Sequence, residues 1–150
     1  MSEFCIYCQK EIAETTDHVP PKAFYPKPRP SNLITVPACL SCNNEASLDE
    51  EYFLATFMFS EAGESESGKK LWAEKLHRMY DKNLGIRRKI ASSFKEISVL
   101  DKSKNETIRR LAIEYDQDRI NRTCSKIIRG LYFIEYGRPL NYDCSADVEL

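Results

Sequence analysis

The chain has 150 residues, 42% of them hydrophobic, and 22 Lys+Arg against 23 Asp+Glu give a net charge of −1. That length and apolar content exclude a wholly disordered chain and suit one medium domain, or a small metal module with a helical appendage. No apolar run approaches the ~20 residues of a membrane span. MSEFCIYCQK also lacks the charged-then-apolar pattern of a secretory signal, so the expected compartment is the cytoplasm, where thiols stay reduced.

In chain order, residues 1–44 come first. They hold every proline except Pro139, and the run Pro20–Pro30 cannot be a helix interior because proline lacks an N–H and clashes with the preceding turn. Short extended pieces near Thr16–Val19 and Leu33–Pro37 are expected to form two strands joined by this loop. Ser47 is the expected N-cap of a buried helix reaching about Glu61, with Asp49, Glu50 and Glu51 in its first turn, where negative charge suits the helix dipole. AGESESG (62–68) reads as a flexible connector. A helix is expected over Lys69–Asn83, with Leu71, Trp72, Leu76, Met79 and Tyr80 on one face. Ile86–Leu100 begins helical and ends with a possible strand at Ile97–Leu100. Ser103 and Glu106 fit a capping box, which predicts a long helix from there, ended by Gly137 and Pro139.

Charge is unevenly spread. Residues 69–95 carry nine Lys+Arg against Glu74 and Asp81, whereas residues 1–68 carry four against eleven. The basic segment suits phosphate contact, although a solvated helix face explains it as well.

Cys5 and Cys8 form one Cys-x-x-Cys pair, and Cys39 and Cys42 form another 30 residues later. Two intervening residues let both sulfurs of a knuckle reach one metal, and two knuckles complete a closed, tetrahedral, structural zinc site. A loop-rich segment that buries little needs such a staple. A redox dithiol is the competing reading, but two separate pairs outside a thioredoxin-like strand–helix context argue against it. The zinc therefore clamps the segment with Asp17, His18 and the proline loop against Asn43 and the helix after it. Asp and Asn oxygens suit Mg²⁺ or Mn²⁺, and a histidine of near-neutral pKa can take a proton from water. That pairing matches hydrolysis of a phosphodiester. Adjacent strand residues point to opposite faces, so Asp17 and His18 can share a pocket only if the strand bends.

The arrangement Cys5-x-x-Cys8, Asp17-His18, Asn32-Leu33, Cys39-x-x-Cys42-Asn43 resembles the zinc-stapled HNH endonucleases of the His-Me finger (ββα-metal) superfamily, especially members whose last motif residue is asparagine. The resemblance covers residues 5–61, about two-fifths of the chain. It implies an α+β fold: a ββα-metal module at 1–61 with the four-cysteine zinc site, then a mainly α-helical region at 62–150 that includes the basic segment 69–95. It implies His18 as general base, Asp17 and Asn43 as ligands of a catalytic Mg²⁺ or Mn²⁺, Asn32 as the brace of the loop, and DNA rather than RNA as the favoured substrate. Two departures stand out. The lysine that many such proteins carry shortly after the last motif residue is absent from Asn43-Asn44-Glu45-Ala46-Ser47, and Asn43 replaces the histidine common at its position. Asn44 is a rival ligand.

Lys22, Lys27 and Arg29 ride the loop beside this site and either grip substrate or keep the loop soluble. His77 reads as a surface histidine and Cys124 as a packed thiol. Two further readings stand beside the autonomous enzyme. One is a non-catalytic zinc-ribbon binding module, in which Asp17, His18 and Asn43 do not converge. The other is a subunit active only with a protein partner, such as an antiviral ATPase, or as a homodimer.

Overall fold

A computed structural model describes residues 4–144. The expected pair of strands is present: β1 (Thr15–His18) and β2 (Thr35–Ala38) run antiparallel, with His18 opposite Thr35 and Asp17 opposite Val36. The proline-rich segment between them holds one short 3₁₀ turn, Lys22–Phe24, and is otherwise irregular, as missing N–H donors require. The two X-Pro bonds Val19–Pro20 and Lys27–Pro28 are cis.

From β2 the chain passes through Cys39 into α1 (Leu40–Glu45) and then α2 (Ser47–Phe57). Cys39 takes the N-cap place of α1, its sulfur accepting from the Cys42 N–H at 3.5 Å. Ser47 is not the cap of α2. Ala46 precedes the helix, and the Ser47 hydroxyl instead donates to the Asn44 carbonyl at 2.7 Å. The expected connector 62–68 is helical: α3 (Glu61–Glu64) is followed by α4 (Glu66–Leu71), which Ser65 caps by accepting from the Gly68 N–H at 3.0 Å. The expected helix over 69–83 is present as the end of α4, a single π turn (Trp72–Leu76) and α5 (His77–Lys82). Asn83 caps α6 (Leu84–Ser92).

The largest departure follows. No helix starts at Ser103. Instead β3 (Phe94–Asp101) and β4 (Glu106–Ile113) form an antiparallel hairpin. The Ser103 N–H and hydroxyl both donate to Asp101 Oδ1, at 2.9 and 2.6 Å. They close a turn in which Asn105 takes φ 53°, a conformation asparagine tolerates. The side chain read as a helix cap thus terminates a strand. The described part of the region expected to be mainly helical, residues 62–144, is therefore helical with a β-hairpin inserted. α7 (Gln117–Tyr136) begins after the cap residue Asp116 and ends, as expected, at Gly137 with φ 66°. No helix among the described residues is long and apolar enough to cross a membrane.

Two apolar cores result. One is built on Tyr52, Leu54, Leu76, Ile86, Ile90 and Ile120. The other surrounds the cysteine knuckles with Ile6, Val19, Val36 and Ala38. α7 joins them, since Ile120 belongs to the first while Ile127 and Phe133 pack on the second. Gly130 sets how closely it approaches. A β-carbon there would lie 2.4 Å from Val19 Cγ2 and 2.7 Å from Cγ1, and Val19 is 2% exposed. Gly130→Ala is expected to lower stability by about 1–3 kcal/mol through overpacking, more than the ~1 kcal/mol of helix propensity it gains. Urea midpoints at constant slope check this.

Candidate metal centre and the cluster at Asp17

The knuckles are local structures. In the first, Phe4 bridges Ile12, the Cys5 N–H donates to the Glu11 carbonyl at 2.8 Å, and Gln9 takes φ 57° to turn the chain. The second lies between β2 and the start of α1. The Ile6 N–H donates to the Pro37 carbonyl at 3.2 Å and sews the two together. The sulfurs of Cys5, Cys8, Cys39 and Cys42 all lie within 4.8 Å of one another, and the Cys8–Cys39 separation is 3.9 Å. Sulfurs at ~2.3 Å from a tetrahedral zinc stand about 3.8 Å apart, so this donor set fits Zn²⁺. None of the four is in a disulfide. Burial pushes the Cys42 thiol up. Burial works against ionisation of the Cys8 thiol, yet it comes down to about 7 because the N–H donors of Glu11 and Lys10, together with the thiols of Cys5 and Cys39, favour its charged form.

The residues singled out around the clamp take distinct positions. Asp17 is 7% exposed. Its Oδ2 accepts from the Tyr7 hydroxyl at 2.9 Å and the Lys126 ammonium at 2.7 Å. Lys126 also reaches Glu50 Oε1 at 2.6 Å and lies 5.5 Å over the Tyr7 ring. His18, next along β1, is half-buried, and alternation along the strand sends its imidazole to the face opposite Asp17. Asn43, in α1, donates through Nδ2 to Thr15 Oγ1 at 3.3 Å and to the Thr16 carbonyl at 3.4 Å. It is therefore tied to β1 directly before Asp17. Asn44 is exposed, and its carbonyl takes the Ser47 hydroxyl. Asn32 is exposed in the turn before Leu33.

The structure thus brings Asn43 to β1 and brings Asp17 to Tyr7, Glu50 and Lys126. Asp17 and His18 are successive residues of β1, which by strand alternation point to opposite faces. Tyr7, Glu50 and Lys126 are the residues that sequence reasoning missed. Glu50 read as a helix-dipole charge, and Lys126 lies more than a hundred residues beyond Asp17, so no local pattern marks the pair. Burial raises the Glu50 carboxyl, and the Lys126 ammonium draws it back only in part. The Tyr7 phenol is pushed up by burial and by the Asp17 charge. A cleft of about 620 Å³ opens beside the cluster, lined by Tyr7, Cys8, Cys42, Asp49, Lys126 and Arg129 among others. Arg119 and Arg122 both pair with Asp49, at 2.7 and 2.6 Å.

The loop cations are partly engaged. Arg29 Nε donates to the Lys22 carbonyl at 3.2 Å, and the Lys27 backbone N–H donates to Glu74 at 2.9 Å. Both Lys22 and Lys27 are exposed. The basic segment is also partly neutralised: Lys89 pairs with Asp116 and Lys95 with Glu114. Burial and the nearby Arg29 charge push the Lys75 amine down. His77 is exposed, with Nδ1 3.1 Å from the Trp72 carbonyl. Cys124 is half-buried against the helical core, and burial raises its thiol.

No family model, no curated protein and no solved structure matches the chain.

Proposed function

We propose that the chain is a zinc-stapled phosphodiester hydrolase of the HNH type, acting on nucleic acid, with DNA favoured. The observation that carries this reading is the position of Asn43. Directly after the second zinc knuckle, its amide bonds back to β1 immediately before Asp17 and His18. In this reading one metal would clamp the two-stranded hairpin to the helix and keep Asn43 beside the strand that carries Asp17 and His18. The cofactors are structural Zn²⁺ and a catalytic divalent ion. In this reading His18 takes a proton from the water that attacks phosphorus, and the bond to the 3′ oxygen breaks, leaving a 5′-phosphate and a 3′-hydroxyl. The donors for the divalent ion are a carboxylate and an amide oxygen, which suit Mg²⁺ or Mn²⁺. The Asp17 carboxylate already holds a cation, the Lys126 ammonium. Bound there, a divalent ion would offset charge developing on the phosphate oxygens.

A second reading, a non-catalytic zinc module that binds nucleic acid or protein, is favoured by one observation. Asp17 is buried in an ion pair with Lys126, and strand alternation directs its neighbour His18 to the other face. Incubation with plasmid DNA and single-stranded RNA, with and without Mg²⁺ or Mn²⁺, decides between them. The nuclease reading expects metal-dependent cleavage that His18→Ala reduces about 100-fold or more. No cleavage of either substrate by zinc-loaded protein, or cleavage unchanged in His18→Ala, removes it.

A further inference from the structure

The β3–β4 hairpin is the element least explained by its own packing. Its base is anchored, with Phe94 meeting Phe59 edge-on at 5.1 Å and Ile113 packing against the helical core. Beyond the base, Ile97 is 42% exposed, Val99 40%, Leu100 55% and Leu111 71%. A two-stranded ribbon is marginal in water by itself. Among the described strands β3 pairs with β4 alone, so its outer edge presents backbone groups that a further strand can take. Exposed edges are ordinarily blunted by charge. Here the charges stand at the ends, Lys95 and Glu96 at one and Asp101 at the other, and Ile97–Leu100 between them carries none.

We propose that β3 is a dimer interface: two copies pair antiparallel along it, about a twofold axis at Ser98, and complete a four-stranded sheet. Symmetry limits the register. A twofold axis perpendicular to a sheet keeps each face on its own side. Residues opposed across the axis must therefore share a face, and in a strand that means they are an even number of positions apart. Centring on Ser98 sets Lys95 opposite Asp101 of the second copy, Ile97 opposite Val99, and Glu96 opposite Leu100. Centring on Ile97 sets Lys95 against Val99. Centring on Val99 sets Ile97 against Asp101. Within the span of β3, Phe94–Asp101, the Ser98 register alone matches opposite charges and apolar pairs together, the two kinds of cross-strand pair that stabilise a sheet.

A second observation points to the same partner. Asp101 and Glu106 face each other across the hairpin, and like charges directly opposed are unfavourable. Of the two turn cations, Lys104 stands 4.0 Å from Glu106, and Lys102 follows Asp101 in sequence. In the Ser98 register Lys95 of the second copy arrives beside this acid pair. Its present partner, Glu114, forms with it a pair in which both side chains are more than half exposed, and salt screens such a pair readily. β4 is the poorer edge. Centring on Arg109 or Arg110 opposes arginines, and centring on Ile108 matches Glu106 with Arg110 over residues 106–110 only, a shorter run than 95–101.

The test is the mass in solution across a concentration series, with register-specific cross-linking of the full zinc-loaded chain. Wild type is expected to be a dimer. Ser98→Cys, made with Cys144→Ser, is expected to oxidise to a covalent dimer, because residues opposed at the axis have α-carbons about 4.5–5.5 Å apart, within disulfide reach. Ile108→Cys is expected not to. Asp101→Lys should weaken the dimer about 10-fold or more, and adding Lys95→Asp to it should restore the dimer by exchanging the charges. A monomer at every concentration, a dimer indifferent to Asp101→Lys, or cross-linking through Ile108→Cys in place of Ser98→Cys overturns the proposal. None of these readouts depends on cleavage of nucleic acid.

Discussion

Cys39→Ser is expected to abolish zinc binding and melt the β1–β2 module while leaving much of the helical signal in place. Cys39 has two places in the fold, one among the four sulfurs that could hold a metal and one as the cap of α1. Serine keeps the second, since a hydroxyl at an N-cap accepts the same N–H, so the substitution isolates the first. Structural zinc sites contribute on the order of 10 kcal/mol to the folding of the segment they close. Residues 4–45 have little to put in its place, because their core is a few side chains around the sulfurs themselves. The core on Tyr52, Leu76, Ile86, Ile90 and Ile120 contains no zinc ligand. Zinc content per chain and a far-ultraviolet melt of wild type, Cys39→Ser and a chelated sample check the expectation. Cys124→Ser, at a half-buried thiol outside the cluster, is the control and should leave zinc content unchanged. Full zinc in Cys39→Ser, or a melt like wild type, would remove the metal from the account of this fold.

The parts of this chain that were legible in sequence are those set by local chemistry. Two Cys-x-x-Cys pairs bring four sulfurs together almost regardless of what lies between them. Consecutive prolines forbid helix, so two strands and a loop were readable around Pro20–Pro30. Gly137 ends α7 because a left-handed residue there suits glycine. The strand expected at Ile97–Leu100 falls within β3, but its partner β4 was not legible, for a specific reason. Ile108, Leu111, Ala112 and Tyr115 recur at helical spacing, and Ser103 with Glu106 mimics a capping box. The long-range fact that decides the matter, β4 pairing with β3 from Phe94–Ile113 to Asp101–Glu106, leaves no mark within a helical window. The connector at 62–68 failed differently. Gly63 and Gly68 suggested flexibility, yet Ser65 caps α4 by accepting from the Gly68 N–H, and Gly68 is itself buried in that helix. The cluster at Asp17 is the strongest case. Its members come from the first knuckle, β1, α2 and α7, and only the fold assembles them.

That cluster sets the other large effect. Lys126→Met is expected to lower stability by about 3–5 kcal/mol at pH 7, because it leaves two carboxylates buried without their cation. The Lys126 side chain is 10% exposed and bridges Asp17 and Glu50, themselves 10% and 14% exposed, so water does little to replace the ammonium. The pH dependence has a definite sign. Burial raises the Glu50 carboxyl above its unfolded value of about 4.3. A raised carboxyl contributes stability that is present below the unfolded pKa and is lost as pH climbs through the folded one. Lys126 limits that loss by favouring the charged form. Without it the loss deepens, so the deficit of Lys126→Met should be small at pH 5 and grow toward pH 8. Adding Glu50→Gln should recover part of it. Urea midpoints at both pH values decide the point, and equal deficits would mean that packing, not charge, is what Lys126 supplies. The same variant bears on the nuclease reading. If Asp17 binds a divalent ion, the ammonium competes for the carboxylate. Added Mg²⁺ should then stabilise Lys126→Met more than wild type, as any ligand held only by the folded state does. Identical shifts in the two proteins would place the ion elsewhere and leave Asp17 as the buried anchor of α7.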